Sequence, residues 1–375
     1  MIYFHIPFCK QACHYCDFHF STSLGYKADM LASMLREVEL RADYLEDKTV
    51  HSIYFGGGTP SLLDAVDIHK FIDRVAQYFN IAPNAEITLE ANPDDLDTAK
   101  VRALRQTPIN RFSIGIQSFY EEDLRWMNRA HNAAEAEIAV KRVQDAGFWN
   151  ITCDLIYGYP LLSDTKWQSN IQKLIDFQIP HISAYAMSVE KKTALDYFVR
   201  QGKTAPMDDD QSAAQMLVLI NTLTRYGFEH YEISNFAKNG RYAQHNTNYW
   251  KGKYYLGIGP SAHSFNGSSR SWNVANNAKY RTALDRGGRF QETEVLSTQD
   301  RINEYIMTAL RTMWGINLDE VEKVFGQDVC SQITREAERF LESGQLELRQ
   351  NHLVLSSTGK VIADHIMSAL FFVEG

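Results

Sequence analysis

Three cysteines fall within eight residues near the start of the chain, at Cys9, Cys13 and Cys16. Their spacing is C-x3-C-x2-C, and the residue two places further on is Phe18 instead of a fourth sulfur donor. Thiolates are soft ligands that select zinc, copper(I) or iron–sulfur clusters. A structural zinc needs four donors, and His5, His14 or His19 could complete the set, although zinc ligands more often come as two separated pairs. A 4Fe-4S cluster ordinarily takes four cysteines. With three, one iron lacks a protein ligand, which is useful when a second molecule binds there, as at catalytic metal sites. The spacing favours the cluster over zinc, and both over three unrelated buried thiols. Cys153 and Cys330 stand alone, so the total is odd. That fits a metal site in a reducing compartment better than a disulfide framework.

A second signal is Gly56-Gly57-Gly58-Thr59-Pro60. Three glycines let a ligand approach the backbone closely, and the amide groups exposed there can bind a charged amino-acid moiety. Alone, the run also fits an ordinary strand-to-helix turn. Beside the cysteine triplet it is a strong joint signal. Glu90, Asn92, Gln117, Asp154 and Tyr157 are further polar residues on or at the ends of short apolar runs.

These residues need a scaffold that carries separate loops to one place. Residues 2–6, 52–57, 85–92, 111–119, 150–158 and 181–189 read as strands. Amphipathic helices are expected over 27–45 and 65–79, after Pro93-Asp94, over 121–127 and 133–146, and before the sixth strand. Six β-then-α units with apolar strands argue for a parallel sheet buried on both faces. An open (β/α)6 barrel is expected, with a doubly wound sheet as the alternative. In barrels of this type chemistry sits at the C-terminal ends of the strands, where the residues singled out above fall. They point to one shared mouth.

A further helix is expected over 209–226. Residues 230–264 are too irregular for a plain helix and too aromatic for a linker. From about 298 the pattern gives helices at 300–313, 318–325 and 330–343, a short hairpin and a last helix, a winged-helix-like arrangement. The expected division is 1–235, 236–297 and 298–375. No repeat of fixed period is present.

A chain of 375 residues exceeds one ordinary core and suits a large α/β domain plus a small one. The hydrophobic fraction of 45% and charged fraction of 22% suit a soluble globular protein. No apolar run reaches the roughly 18 residues of a membrane span. The opening MIYFHIPFCK lacks the basic region and long apolar stretch of a secretory signal. A cytoplasmic location is expected. The net charge of −8 gives no overall footprint for nucleic acid. Residues 300–375 carry 7 Lys and Arg against 12 Asp and Glu, so the C-terminal part is expected to pack or contact protein, not to read DNA.

YFHIPFC, GGGTPS, LEANP, RFSIGIQSF, DLIYGYP, HISAYAMSVE, YEISNFAKNG, HNTNYW and GIGPSAH are spread over nearly the whole chain. In these stretches it resembles the radical S-adenosylmethionine (SAM) superfamily. Within that superfamily it resembles the oxygen-independent coproporphyrinogen III dehydrogenase family. The resemblance implies that Cys9, Cys13 and Cys16 hold a 4Fe-4S cluster whose free iron is chelated by the amino and carboxylate groups of SAM. It also implies that Tyr3, Gly57, Gly58, Thr59, Glu90, Gln117, Arg129 and Asp154 contact SAM. Glycine backbone at 57 and 58 suits the methionyl part, and Glu90 and Asp154 suit an ammonium or ribose hydroxyls. Arg129 could take a carboxylate as a fork.

The dehydrogenases carry C-x3-C-x2-C-x-C and an N-terminal extension. Phe18 and a start close to the first strand depart from both. In these two respects the chain resembles the heme-chaperone branch of the family. The stretch His245-Asn246-Thr247-Asn248-Tyr249-Trp250 matches that branch's HNxxYW motif. A neutral imidazole suits heme iron, and Tyr249 and Trp250 could cover a porphyrin. The resemblance makes His245 the expected heme contact and His263 a second candidate. Without it, a lone histidine in an aromatic segment is more often structural. The expected cofactors are therefore the 4Fe-4S cluster, SAM and heme. The expected partners are heme-acceptor apo-proteins such as respiratory enzymes, with peripheral contact to respiratory proteins and a homodimer that masks the cluster. The rivals are a coproporphyrinogen dehydrogenase, a radical enzyme on another substrate and a zinc-stabilised binding protein.

Overall fold

A computed structural model describes residues 1–373. β1 (Ile2–Ile6), β2 (Thr49–Gly57), β3 (Asn80–Ala91), β4 (Arg111–Gln117), β5 (Ile151–Tyr157) and β6 (His181–Ala186) lie side by side in chain order. All five pairings between them are parallel. Consecutive order excludes the doubly wound alternative, in which the strand order reverses at a switch point. The crossovers carry α1 (Lys27–Leu40), α2 (Ala65–Tyr78), α3 (Thr98–Leu104), α4 (Glu121–Trp126), α5 (Ala133–Asp145) and α6 (Asp164–Asp176). Local chemistry sets their starts. Asn132 opens α5 by accepting from the Glu135 amide at 2.9 Å while Glu135 accepts from the Asn132 amide at 2.9 Å, a reciprocal cap.

The strands differ from the uniformly apolar runs expected of them. Ile2, Phe4 and Ile6 of β1 join Ile53, Phe55, Ile87, Leu89, Phe112, Ile114, Cys153, Leu155 and Ile182 in one buried apolar cluster with the helices. The intervening residues point to the opposite face, and there they are polar: Tyr3, His5, Ser52, Tyr54, Glu86, Glu90, Arg111, Ser113, Thr152, Asp154, His181 and Ser183. Both faces are buried, but only the outer one is apolar. Each fully buried outer side chain contributes about 1.5–3 kcal/mol, which supports a polar interior that would not hold together alone.

After α7 (Ala194–Arg200) and α8 (Asp209–Arg225), β7 (Glu229–Glu232) and β8 (Asn235–Ala237) extend the sheet antiparallel beyond β6. α9 (Gln244–Trp250) then leads to β9 (Leu256–Ile258), which adds parallel to β1 at the other side. The nine-stranded order runs from β7 to β9 without these two pairing, so the barrel is open. The expected boundary at 235/236 falls inside β8, and residues 256–258 belong to the main sheet.

β10 (His263–Phe265), β11 (Ser269–Asn273) and β12 (Gln291–Val295) form a separate antiparallel sheet, with α10 (Asn277–Arg286) between the last two. Glu37 of α1 ties this unit down from a fully buried position. It accepts from the Gly259 amide at 2.8 Å, from Asn273 Nδ2 at 2.7 Å and from the Tyr280 hydroxyl.

The C-terminal part runs α11 (Thr298–Leu310), β13 (Ile316–Asn317), α12 (Leu318–Phe325), α13 (Gln327–Glu342), β14 (Leu346–Arg349) and β15 (His352–Leu355). Helix, strand, two helices and a hairpin is the winged-helix order, and its sheet is antiparallel. Its apolar cluster, from Ile302 to Leu370, is distinct from that of the barrel. The expected last helix is two short ones, α14 (Ser357–Val361) and α15 (Ala363–Ala369). Among the described residues no helix is long and apolar enough to cross a membrane.

Candidate metal centre and cofactor cavity

The C-terminal ends of the six parallel strands surround a cavity of about 470 Å³. Cys9, Cys13 and Cys16 line it, as do Gly57, Gly58, Thr59, Glu90, Gln117, Arg129 and Asp154. All three cysteines and seven of the eight expected SAM contacts thus meet in one place; Tyr3 and His245 do not line it.

The cysteine loop is pinned on several sides. The Cys9 amide donates to Ser21 O at 3.1 Å, and the His14 amide to Met127 O at 3.1 Å. Asn128, at a left-handed φ of 56°, donates from Nδ2 to Ala12 O at 2.7 Å. None of the three histidines that could have completed a zinc site lines the cavity. His5 Nε2 donates to His19 O at 2.8 Å while its Nδ1 lies 3.2 Å from the Tyr3 hydroxyl. His14 Nδ1 donates to Trp126 O at 2.8 Å, and His19 Nε2 lies 2.7 Å from Asn277 Oδ1. A single zinc asks for four donors around one point. Among the described residues no three His, Cys, Asp or Glu side chains converge in that way. Burial raises the Cys9 thiol and pushes Cys16 up to about 12. These thiols remain protonated until a metal displaces the proton.

Arg129 does not present a free fork. Its Nη1 donates to Cys13 Sγ at 3.3 Å, and its Nη2 donates to Asn92 Oδ1 at 2.7 Å and Gly115 O at 3.0 Å. Arg129 thus holds the Cys13 sulfur directly. Glu90 and Asp154 have no cationic side chain within ion-pairing distance among the described residues. Glu90 accepts from the Tyr54 hydroxyl at 2.8 Å, and Asp154 faces Ser113 Oγ at 3.5 Å. Gln117 holds a left-handed φ of 66°, and its buried Oε1 has no partner. Backbone strain of this kind collects at ligand sites. Three sulfurs, two uncompensated carboxylates and an orphan amide oxygen fit a metal cluster plus a ligand bearing ammonium or hydroxyl groups.

Burial raises Glu90 from 4.5 to about 7 and Asp154 from 3.8 to about 6. Between pH 4.5 and 7 the folded state then holds a Glu90 proton that the unfolded chain has released. Stability therefore falls as pH rises through that window. Buried histidines with lowered pKa act in the opposite sense, so the informative quantity is a difference. The stability of the ligand-free chain minus that of Glu90→Gln should decline from pH 5 to pH 8. A flat difference in urea midpoints across that range would mean that Glu90 titrates normally.

Tyr3 lies beneath the cavity wall, stacked on Tyr54 with ring centroids 6.1 Å apart. His245 lies deeper, under the N-terminal ends of the strands. Its Nδ1 is 2.9 Å from Ser52 Oγ, its ring sits 5.1 Å from that of Tyr54, and it is 7% exposed. Glu86 accepts from the His245 amide at 3.0 Å and from the Gln244 amide at 3.1 Å. Burial lowers the imidazole to about 3 and keeps it neutral. In this structure the ring expected to contact heme is enclosed by its neighbours. His263 is exposed and stacked on Trp272 at 6.2 Å, apart from the cavity. Sequence reasoning missed Tyr54, Ser113, Ser183 and Tyr185. The signal for them was the two-residue alternation of polar positions.

An open barrel of parallel strands with three cysteines at its mouth defines a protein of the radical SAM class. The profile of the radical SAM superfamily matches residues 3–174, and that of the HemN C-terminal domain matches residues 296–362. The chain is 34% identical to the heme chaperone HemW of Mycobacterium tuberculosis over 98% of this chain and 94% of that protein. It is 32% identical to HemW of Lactococcus lactis over 86% and 84%, and 30% identical to HemW of Escherichia coli over 100% and 98%. The chain belongs to the HemW family. Among solved structures, coproporphyrinogen III oxidase (HemN) from Escherichia coli superposes with a TM-score of 0.84 at 20% identity, covering 99% of this chain and 89% of that one. That likeness shows the fold.

Proposed function

We propose that this chain is a heme chaperone. It binds heme and hands it to apo-acceptors such as respiratory enzymes, and it holds a 4Fe-4S cluster and SAM at the barrel mouth. The observation that carries the cofactor part is the ring of Cys9, Cys13 and Cys16 around a cavity with two half-buried carboxylates that have no ion-pair partner among the described residues. The three cysteines hold the cluster and leave one iron for SAM. Gly57, Gly58, Thr59, Glu90, Gln117 and Asp154 face SAM, while Arg129 donates to Cys13 Sγ and the Tyr3 hydroxyl meets His5 Nδ1. When bound, the cluster supplies redox chemistry and a chelation point for an amino acid. Phe18, 65% exposed beside the cavity, stands where the dehydrogenases have a further cysteine. The working location is the cytoplasm. A barrel, a segment that closes one edge of it and a winged-helix unit are the functional parts, and a dimer would shield the mouth.

The test is anaerobic reconstitution followed by metal analysis and hemin titration. The expected result is about four iron and four sulfide per chain, SAM binding and a Soret band that saturates with hemin. One zinc with no iron or sulfide defeats the cluster assignment. Conversion of coproporphyrinogen to protoporphyrinogen makes the chain a dehydrogenase instead.

A further inference from the structure

We infer that heme docks in a second cavity, with His352 as an axial ligand and Lys251, Lys253 and Arg301 facing its propionates. This rests on the heme-chaperone reading above and adds a place to it. The cavity measures about 620 Å³ and shares no lining residue with the mouth. That size lies within the range of cofactor sites. It is bounded by the turn after α9, the antiparallel sheet and the winged-helix part.

Its lining has the chemistry of a flat, dianionic ligand. Tyr249, Tyr254, Tyr255, Tyr305, Trp314 and Phe325 contribute aromatic surface. Tyr249 and Tyr254 are 42% and 54% exposed, and clustered exposed aromatics mark a binding surface. Lys251, Lys253 and Arg301 also line it, and among the described residues none has a carboxylate at ion-pairing distance. The two lining carboxylates are already engaged, Glu304 by Arg270 and Glu320 by the Tyr305 hydroxyl. Lys251 lies 4.0 Å over the Trp314 ring and Arg301 6.0 Å over the Phe325 ring, so these cations are held at the aromatic wall without a neutralising carboxylate, in a chain of net charge −8.

His352 supplies the iron ligand. Its Nδ1 lies 3.0 Å from Gln350 O. A carbonyl oxygen only accepts, so Nδ1 carries the proton and Nε2 keeps its lone pair. Metal-binding histidines ordinarily have this arrangement, with the far nitrogen donating to a carbonyl. The ring is presented by a tight hairpin whose two turn residues, Gln350 and Asn351, hold φ of 46° and 64°. The HNxxYW stretch thus divides along one short helix: His245 anchors α9 under the barrel, and Tyr249 and Trp250 at its other end reach the cavity.

Ferric hemin is titrated into the full-length chain and followed at the Soret band. His352→Ala should shift the band and weaken binding by at least about tenfold, and free imidazole should restore the wild-type spectrum. The exposed pair Lys251→Glu/Lys253→Glu should weaken binding by about tenfold and reduce its salt dependence. His245→Gln, at unchanged secondary structure, should leave the Soret position unaltered. If wild type binds hemin and both the His352 and lysine variants match it, the site is wrong while the chaperone reading survives. If wild type does not bind hemin, the chaperone reading itself fails.

Discussion

Glu86→Leu should lower the stability of this chain by about 3–5 kcal/mol, the usual cost of removing one partner of a buried ion pair. Glu86 and Arg111 are both almost fully buried, with Glu86 Oε2 3.7 Å from Arg111 Nε. Arg111 also donates to Thr152, which meets His181 Nδ1 at 3.0 Å, and His181 Nε2 meets the Tyr231 hydroxyl at 2.7 Å. The carboxylate further accepts two amides at the start of α9. Leucine at 86 would strand a guanidinium inside the barrel and leave those amides unmatched. Glu86→Leu with Arg111→Met should recover much of the loss, because an apolar pair of similar volume is often neutral in such places. Urea midpoints of the two single variants and the double variant give the comparison. Strict additivity of the single losses would show that the pair is not coupled. The same variant loosens the floor on which α9 carries Tyr249 and Trp250, so hemin affinity should fall with stability.

The mouth was legible in the sequence because its chemistry is local. Each strand tip carries its own residue, and parallel order alone brings the tips together. The polar interior was harder to read. Each strand offers only two or three inward positions, so Tyr3 and His5 in IYFHI, or Ser113 in RFSIGIQ, look like interruptions of an apolar run. Only when six strands are set in register do they form layers. The surroundings of His245 were hard to read for a different reason. Its motif reads as a unit, but a helix of seven residues can put its two ends in unrelated surroundings. Which end faces what depends on β8 and β9 lying on opposite sides of the six parallel strands, and no local pattern encodes that. The second cavity was invisible because its walls come from residues near 250, 265, 305, 320 and 352. The glycine run was found for an incomplete reason. Room for a ligand was expected at Gly57 and Gly58, but much of that room is taken by the chain itself. A Cβ at Gly57 would lie 2.8 Å from His5 Nδ1, and φ there is 105°.

Gly58→Ala should therefore cost the protein its metal more than its fold. A Cβ at Gly58 would lie 2.5 Å from Phe8 O and 2.9 Å from Ile6 O. Both are backbone atoms, so no side-chain rotation relieves the contact. The Gly58 amide donates to Ile6 O at 2.9 Å and the Thr59 amide to Phe8 O at 2.6 Å, and Phe8 is joined directly to Cys9. Any shift that makes space must move the first cysteine relative to the other two. Overpacking of this kind costs about 1–3 kcal/mol, which a core of this size survives. Displacement of a ligand's support costs about 10–100-fold in metal affinity. The expected result is a folded variant whose reconstituted iron is lost to a chelator at concentrations that leave the wild type intact. Gly25→Ala is the control: nothing lies within 4 Å of a Cβ there, so iron retention should not change. Wild-type iron and sulfide in Gly58→Ala would mean that the cysteine loop has slack. The glycines would then serve a ligand's approach, as their spacing first suggested. Loss of iron at full folding would assign them to the loop, with the ligand left to Glu90, Gln117 and Asp154.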